Sequence, residues 1–425
     1  MPPAAGATLT PCLTVGDVLH DGGLTPHFQP LVDLDAGHVV GYEALIRGPR
    51  GSAIERPDAL FAAAHAEGRV TELDCHCRIA AFRAAEAAGL GAGSTLFVNL
   101  EPAAVGRRAP ADLHGAALAG PPGARVVIEI TERSLTSDPA GLMRAVAELR
   151  EQGFGIAIDD VGADDRSLAL MPFLRPDVIK LDLALVQERP SVKMATILNA
   201  VGAQVERTGA LIVAEGVETE RQIEVAHSLG ATLAQGYFFG RPAPLPDWSP
   251  APEQALRVLG RSAHPASRTP FEVLQSGRRV RRSTKALLRS ISRSLELEAE
   301  SLGGSAVALA TFQHARHYTP PVQETYARLG QRMAFVGVLG AGLPPDPAPY
   351  VRGGHLEEHD PLLAEWDVAV VGPHFAATLA ARDLGDTGPE DERRFDFVVS
   401  HNRDLATEAA RSLMSRIVPA GQASR

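Results

Sequence analysis

The sequence predicts an α/β protein in which a TIM-type (β/α) barrel is followed by a smaller α/β domain. Eight short β-rich runs alternate with helical patterns through the first half of the chain. A proline-rich stretch then separates this half from a second group of apolar runs and helical segments. Eight strands that alternate with helices are typical of a closed barrel of about 250 residues. An open doubly wound sheet is the alternative, and it is disfavoured because no GxGxxG motif follows the first run.

The strands of the predicted barrel are short apolar runs that are bounded by turn residues or by helical patterns. In chain order they read HFQPLVDL, VVGYEALIR, STLFVNL, RVVIEIT, FGIAIDD, DVIKLDL, LIVAEGV and LAQGYFF. Three of the intervening helical patterns, GLMRAVAELREQG, ATILNAVGAQVERTG and TERQIEVAHSLG, close on glycine, which is a common helix stop.

Shifts in composition divide the 425 residues into two domains, a tail and a linker. Proline resists both helix and central strand, so RPAPLPDWSPAPEQ and RSAHPASRTP predict the linker. In the second domain we expect strands at AVALATF, MAFVGVLG and DVAVVG, and helices at KALLRSISRSLELEAES and DLATEAARSLMSRIV. The predicted boundaries are an N-terminal tail at 1–20, a barrel at 21–245, a linker at 246–268 and a second domain at 269–420.

Charge and cysteine content exclude several classes of protein. A net charge of −10 disfavours general nucleic-acid binding, since phosphate affinity needs clustered Lys and Arg. The three cysteines, Cys12, Cys75 and Cys77, argue against a disulfide framework and for a reducing compartment. The segment from Cys75 to Cys77 lacks zinc spacing and would face several sides of a helix. Without an apolar run of about 18 residues or a basic secretory leader, we expect no membrane span and a cytoplasmic location.

Polar side chains recur within or directly after the barrel strands, where an ordinary buried strand would be apolar. In a barrel, the carboxyl ends of the strands converge on one mouth, and active sites lie there. Any one of these residues could be a surface residue at a loop edge, but that interpretation is weak for the whole set. The set is Glu43, Asn99, Glu129, Asp159, Asp160, Lys180, Asp182, Glu215, Glu218 and Gln235.

Carboxylates dominate this set, and they are costly to bury together without a cation. Carboxylate and amide oxygens favour Mg²⁺ or Mn²⁺ over zinc. Two such ions about 3.5–4 Å apart would clamp a phosphodiester, with one activating a water and the other stabilising the leaving oxygen. A lysine in the site would hold the water or neutralise developing charge. The sequence therefore predicts metal-dependent phosphoryl chemistry at this mouth.

The same motifs resemble the EAL family of cyclic di-GMP phosphodiesterases over about residues 24–244. FQPLVDLDAGHVVGYEALIR is similar to the opening signature of the family. ELD, FVNLEP, IEITER, IAIDDVG, PDVIKLD, VAEGVET and AQGYFFGRP then follow in the family order. The resemblance implies a TIM-type barrel with partly antiparallel early strands, and hydrolysis of cyclic di-GMP to linear pGpG with two Mg²⁺ or Mn²⁺ ions. It also implies a homodimer.

The resemblance assigns roles to residues of this chain. Lys180 would position the water, Gln235 would support that site, and Glu215 would be the base if a side chain takes the proton. Glu132 and Asp182 match supporting positions. The metal ligands would be Glu43, which is also counted as catalytic, Asn99, Glu129, Asp159, Asp160 and Glu215. Substrate contacts would come from Gln29, Leu45, Arg47 near a phosphate, Asp160, Glu218 and Tyr237.

The chain departs from the family pattern directly after the paired aspartates. The family usually continues FGTGYSSL, whereas this chain has VGADDRSL, so that Val161 replaces an aromatic residue. In the family this loop couples dimerisation and metal binding to turnover. Gly48, where the family often has Trp, is a smaller departure. Two alternatives therefore stay open: a catalytically weak or inactive cyclic di-GMP receptor that acts through protein partners, and a scaffold that acts through protein contacts alone.

The second domain resembles the DICT sensory domain over roughly Phe271 to Ile417. STKALLRSISRSLE, ATFQHARHYTPPVQETYARL, LLAEWDVAVVGPHFAATLAARDL and RRFDFVVSHNRDLATEAARSLM carry this resemblance, which implies signal input. Glu365-Trp366, Arg382-Asp383 and His401 could form a pocket, although core packing and internal ion pairs are the favoured interpretation. The run RRVRRSTK is interpreted as a solvated helix start rather than a nucleic-acid or membrane contact.

Overall fold

The structure, a computed structural model, describes residues 13–91, 93–245, 256 and 268–417. The first half of the chain forms a closed barrel whose strands follow one another in sequence order. These strands are β1 (Thr25–Asp33), β2 (Val39–Arg47), β3 (Thr95–Asn99), β4 (Arg125–Ile130), β5 (Gly155–Val161), β6 (Val178–Leu181), β7 (Leu211–Ala214) and β8 (Leu233–Gln235). β1 is antiparallel to β2 and β8, and the other neighbours are parallel. The predicted TIM-type barrel with a partly antiparallel start is confirmed.

Helices pack around the outside of the barrel. They are α1 (Val15–Asp21), α2 (Pro57–Ala66), α3 (Val70–Ala87), α4 (Ala111–Ala117), α5 (Arg133–Ser137), α6 (Pro139–Glu151), α7 (Arg166–Leu174), α8 (Leu183–Gln187), α9 (Val192–Thr208) and α10 (Glu220–Ser228). Residues 15–20 of the predicted N-terminal tail belong to α1, in which Val15 and Val18 are buried. The three glycines predicted as helix stops, Gly153, Gly209 and Gly230, have positive φ, which glycine adopts at little cost.

An apolar layer fills the barrel beneath the predicted site. Side chains two residues apart on a strand share a face, so a polar residue two positions after a buried apolar one lies directly above it. Six strands follow this rule: Phe97 precedes Asn99, Val127 precedes Glu129, Ala157 precedes Asp159, Val178 precedes Lys180, Val213 precedes Glu215, and Leu233 precedes Gln235. The strand period therefore builds a polar layer on an apolar floor.

The second domain is a seven-stranded mixed sheet with helices on both faces. Its strands are β9 (Arg281–Thr284), β10 (Val307–His314), β11 (Phe335–Ala341), β12 (Arg352–His355), β13 (Glu365–Val371), β14 (Ala376–Asp383) and β15 (Arg394–Ser400). The sheet order is β12-β11-β10-β13-β14-β15-β9. Its helices are α11 (Pro270–Gln275), α12 (Lys285–Leu302), α13 (Pro320–Arg332) and α14 (Arg403–Met414).

The basic run RRVRRSTK is only in part a helix start. Arg281–Thr284 form the edge strand β9, and α12 begins at Lys285. Arg282 lies opposite Asp396 on β15, and its Nε is 2.8 Å from Asp396 Oδ1. This cross-strand ion pair favours the pairing of β9 with β15. It cannot be seen in the run RRVRRSTK alone, because Asp396 lies far along the chain.

Glu365 and Arg382 form an ion pair of 3.3 Å between Oε1 and Nη2, and Asp383 pairs with Arg393, which fits the favoured interpretation of these residues. Trp366 differs, because it lines a cavity that is described below. Of the predicted linker at 246–268, all but Leu256 and Arg268 lie outside the described residues. Within the described part of the chain, no helix is both long and apolar enough to traverse a bilayer.

Among the contacts between the two domains, α14 of the second domain packs against α6 and α7 of the barrel. One continuous apolar cluster includes Phe173 and Leu174 of the barrel and Leu413 and Met414 of α14. The guanidinium of Arg411 donates to the main-chain carbonyl of Phe173. Since α7 follows the loop after Asp160, the second domain touches the helix that leads away from the predicted site.

Candidate active site

Lys180 on β6 is the centre of the polar layer. Its Nζ lies 2.7 Å from Oε1 of both Glu129 and Glu215, and 3.2 Å from Glu43 Oε2 and Asp159 Oδ1. Lys180 and Glu129 are each 1% exposed. The structure thus brings five of the predicted site residues, from five different strands or strand ends, into direct contact. We call these five residues, together with Asp160, the Lys180 cluster.

Glu43 is held in a fixed orientation by three donors. Asn99 Nδ2 donates to Glu43 Oε1 at 3.2 Å, while Gln235 Nε2 and Lys180 Nζ donate to Oε2 at 2.7 Å and 3.2 Å. Gln235 Nε2 also donates to Gln29 Oε1 at 3.0 Å, so Gln29 lies behind Glu43 in the same network. Both glutamines are buried, which makes the network rigid.

A distortion of β5 brings the two adjacent aspartates to the same mouth. In a regular strand, Asp159 and Asp160 would point to opposite faces. The pairing of β5 with β6 shifts register between Ile158 and Val161, and Asp160 has a φ of 54°. As a result, one carboxylate oxygen each of Asp159, Asp160 and Glu215 can lie within 4.8 Å of the others.

Burial and crowding shift the pKa values of this cluster. Burial raises the pKa of Glu129 well above its ordinary value, with Glu43 as the next cause, and burial raises the pKa of Glu215 to about 8. Burial followed by the charge of Asp159 raises the pKa of Asp160 to about 6. Burial opposes the ionisation of Glu43, but Lys180 and hydrogen bonds outweigh it and lower its pKa.

The donor set fits divalent cations. Five carboxylates surround one ammonium, so full ionisation leaves a charge of −4, five negative less one positive. Glu129 Oε2 and Gln235 Oε1 are buried and have no hydrogen-bond partner among the residues that the structure describes. Buried polar atoms without partners carry a desolvation cost that a cation would remove. Oxygen donors of this kind suit Mg²⁺ or Mn²⁺.

A cleft of about 780 Å³ opens above the cluster. Leu45, Asn99, Asp160 and Glu132, which the sequence analysis singled out, line it, together with Asp164 from the loop after β5. The volume is within the range of small-molecule sites, roughly 300–1,000 Å³. The cleft therefore gives a ligand access to Asn99 and Asp160 at the edge of the buried layer.

The remaining predicted residues lie further out or have another role. Glu218 and Tyr237 are exposed beyond β7 and β8, and Arg241 stacks on the Tyr237 ring at 4.0 Å from its centroid. Arg47 ends β2 and donates from Nη1 to the carbonyl of Ile46 at 2.9 Å. Asp182 caps α8, since its Oδ1 accepts from the Ala184 N–H at 2.9 Å. Among the described residues, Arg47, Asp182, Glu218 and Tyr237 form no ion pair with Lys180, whereas the charge of Asp182 helps to raise the pKa of Asp160.

Sequence reasoning missed an ion pair that supports the cleft. Arg78 Nη2 donates to Asp74 Oδ2 at 2.9 Å, and Asp74 Oδ1 accepts from the Glu101 N–H at 2.9 Å. The pair fixes the segment that follows Asn99. The signal was present, because Asp74 and Arg78 are four residues apart on one helical pattern and so share a face.

The loop that departs from the family pattern contains two acidic residues with different surroundings. Asp164 lines the cleft, and its Oδ1 accepts from the Arg166 N–H at 2.9 Å. Asp165 is exposed, and its Oδ1 lies 3.6 Å from Lys193 Nζ. Val161, at the position of the family's aromatic residue, is fully buried.

Comparison with known proteins finds a family model that matches each part of the chain. The family model of the EAL domain matches residues 14–242. The model described as a sensory domain in diguanylate cyclases and two-component systems matches residues 270–384.

Individual relatives match mainly the first half. Cyclic di-GMP phosphodiesterase RocR of Pseudomonas aeruginosa is 32% identical over 252 residues, covering 54% of this chain and 61% of that protein. Cyclic di-GMP phosphodiesterase NbdA of the same organism is 31% identical over 257 residues, covering 59% of this chain and 32% of that protein. The chain thus spans less than two thirds of either relative. The manganese/cy-diGMP complex of Klebsiella pneumoniae BlrP1 is 33% identical, with a TM-score of 0.46, covering 52% of this chain and 56% of that one.

Proposed function

The chain belongs to the EAL domain family through residues 14–242, and from that premise we propose that its barrel hydrolyses cyclic di-GMP to linear pGpG in a metal-dependent reaction. One observation carries the proposal: Lys180 and four carboxylates from separate strands meet in a buried layer beneath an open cleft. The names of the relatives RocR and NbdA support the same substrate.

Two divalent cations, Mg²⁺ or Mn²⁺, are the cofactors that this donor set would hold. They would neutralise the phosphodiester charge and lower the pKa of a bound water. The partnerless Glu129 Oε2 and the excess of carboxylates over Lys180 support this assignment. The ligands would be Glu43, Asn99, Glu129, Asp159, Asp160 and Glu215.

The side chains of the barrel would divide the work of hydrolysis. Water attacks phosphorus, the bond from phosphorus to the 3′ oxygen breaks, and that oxygen leaves with a proton. Lys180 would orient the water, and Glu215 would accept its proton, which requires a base close to the water. Gln235 would keep Glu43 in place through its 2.7 Å hydrogen bond. Leu45, Arg47, Glu218 and Tyr237 would contact the substrate around the mouth.

The second domain would supply the regulatory input. Its α14 contacts α7, the helix that follows the loop after Asp160. A conformational change in the second domain would therefore be transmitted to the barrel through this contact. The family resemblance is the basis for proposing a homodimer. The cysteine content, which indicates a reducing compartment, is the basis for proposing a cytoplasmic location.

The test is a chromatographic assay of purified protein with cyclic di-GMP and Mg²⁺ or Mn²⁺. We expect pGpG to accumulate, and Glu43→Gln to reduce the rate by more than about 100-fold, since a ligand and an orienting network are lost together. Glu151→Gln, on the exposed end of α6, is the matched control and should leave the rate unchanged.

The receptor hypothesis has one observation in its favour, the altered loop from Val161 to Arg166. It predicts saturable binding of cyclic di-GMP by calorimetry with no pGpG. That result would refute hydrolysis and leave binding as the function. Turnover by Glu43→Gln at the wild-type rate would refute the assignment of the site.

A further inference from the structure

The second domain contains a cavity that the proposed hydrolysis does not use. It has a volume of about 510 Å³ and lies between α12, the end of β10, the start of α13 and the strands β13 and β15. This volume is within the range of small-molecule sites, roughly 300–1,000 Å³. None of its lining residues belongs to the Lys180 cluster or to the cleft above it.

Aromatic rings form the walls of this cavity. Trp366 and Phe395 meet edge to face, with 6.1 Å between ring centroids. Phe312 is fixed from behind by Tyr318 and Tyr326, at 5.0 Å and 5.4 Å between centroids. Rings that are held in this way offer a preformed slot for a flat apolar body, because no side chain must be ordered on binding.

Cations surround the opening. Lys285 and Arg289 pair with Glu390 and Asp391 outside the cavity. Arg316 is exposed and forms no ion pair with any residue in the described part of the chain, and its Nε lies 3.4 Å from His317 Nε2. The lining therefore includes a cation, Arg316, whose charge no carboxylate of the described residues neutralises through an ion pair.

The acidic residues of the lining do not offset this charge fully. Glu296 is the one carboxylate among the lining residues described, and Arg293 Nη1 lies 3.4 Å from its Oε2. Burial raises the pKa of Glu296. Arg316, which pairs with no carboxylate in the described part of the chain, is thus the cation best placed to receive an anion, and Arg293 lines the same cavity.

The backbone at the cavity is distorted. Gln313 lines the cavity and has a φ of 56°, where the pairing of β10 with β11 shifts register between Thr311 and His314. A residue other than glycine in this conformation is strained, and such residues cluster at ligand sites. This distortion is independent of the charges and the rings.

We propose that this cavity, the α12 pocket, binds a flat, mainly apolar small molecule that carries an anionic group. The rings of the ligand would lie among Phe312, Trp366 and Phe395, and its anion would face Arg293 and Arg316. The proposal does not depend on hydrolysis of cyclic di-GMP by the barrel. The C-terminal end of α12 leads to Gly304, which lies next to Asp165 in the loop after Asp160. The helix that lines the pocket therefore also reaches the barrel.

The probe is 8-anilinonaphthalene-1-sulfonate, an aromatic anion whose fluorescence rises in an apolar site. With the full chain we expect saturable binding of one dye, with energy transfer from Trp366 that Trp366→Phe reduces. Arg316→Glu should weaken binding about tenfold or more, because a charge-assisted contact becomes a repulsion. Arg328→Glu, an exposed residue on α13 outside the lining, is the matched control and should leave affinity unchanged. The uncharged N-phenyl-1-naphthylamine should bind at least about tenfold more weakly.

Three results would overturn the proposal: no saturable binding, equal affinity of Arg316→Glu and the wild type, or equal affinity for the uncharged analogue. Val322→Trp provides a second variant, because the larger side chain would fill the pocket. Dye binding that persists unchanged in Val322→Trp, with a normal circular dichroism spectrum, would place the dye elsewhere and likewise overturn the proposal.

Discussion

Lys180 Nζ lies 2.7 Å from Glu129 Oε1 inside the barrel, and each of the two residues is 1% exposed. The same ammonium also contacts Glu43, Asp159 and Glu215. A buried charge without a partner is strongly unfavourable. Lys180 is therefore the counterion of the acidic layer, in addition to any part it takes in the reaction.

Replacing this lysine should destabilise the metal-free protein. We expect Lys180→Met to lower the free energy of unfolding by about 3–5 kcal/mol, because the buried carboxylates lose the one cation that pairs with them among the described residues. Urea denaturation in EDTA measures this. Lys193→Met, at an exposed ion pair with Asp165, should change stability by less than about 0.5 kcal/mol. Equal stability of Lys180→Met and the wild type would show that the carboxylates are already neutral in the metal-free fold.

The stability of the metal-free protein should also depend on pH through Glu215. Burial raises its pKa from 4.5 to about 8, so between these values the folded state holds a proton that the unfolded state has released. The contribution of Glu215 to stability is therefore present below pH 4.5 and is lost as the pH rises towards 8. Glu215→Gln should remove this loss and gain stability relative to wild type between pH 5 and pH 8, as measured by urea denaturation in EDTA. A stability difference between the two proteins that stays constant with pH would contradict the prediction.

Metal binding should offset the repulsion among the carboxylates of the acidic layer and so stabilise the folded protein. Saturating MnCl₂ at about 100 times its Kd should stabilise the wild type by about 2.7 kcal/mol, since a ligand that binds only the folded state shifts the equilibrium. Thermal unfolding with and without the metal measures this effect. Asp159→Asn removes the negative charge of a carboxylate that Lys180 also contacts and replaces one of its oxygens by an amide nitrogen, and should reduce the shift. Asp165→Asn lies outside the cluster and should retain it; an equal shift in both variants would place the metal elsewhere.

Much of the fold could be predicted because each barrel strand appears in the sequence as a short apolar run, and these runs alternate with helical patterns. Runs such as VVIEI and VIKL are apolar except at the residue that reaches the site. The apolar residues therefore indicate a buried strand, and the single polar residue indicates the site. The edge strand β9 was not predicted, because it forms by pairing with β15, in which Asp396, opposite Arg282, is 114 residues away. No local pattern records such a partner.

The arrangement of the site residues was less predictable than their identity. The sequence shows that Asp159 and Asp160 are adjacent, but only the register shift in β5 and the positive φ of Asp160 turn both towards one mouth. Of the α12 pocket, Trp366 alone was named from the sequence, as part of a possible pocket, for a related reason. Lys285, Phe312, Trp366 and Phe395 come from four elements, and their convergence follows from the sheet order.

The acidic loop after β5 provides the last prediction, because its two neighbouring aspartates face different surroundings. Asp164 lines the cleft, where a cyclic dinucleotide would bring two negative phosphates, whereas Asp165 lies 3.6 Å from Lys193. Asp164→Asn should lower the KM for cyclic di-GMP by about two- to tenfold with little change in kcat, because it removes a like charge from the cleft.

Salt separates this electrostatic explanation from a change in loop shape. Repulsion between Asp164 and the phosphates is screened over a Debye length of about 8 Å at physiological ionic strength and about 3 Å at 1 M, so the difference between Asp164→Asn and the wild type should shrink as NaCl is added. Asp165→Asn, one residue away, should leave KM unchanged at every salt concentration. Equal effects of the two substitutions, or an effect of Asp164→Asn that salt does not alter, would show that the loop acts through its conformation and that the charge of Asp164 is incidental.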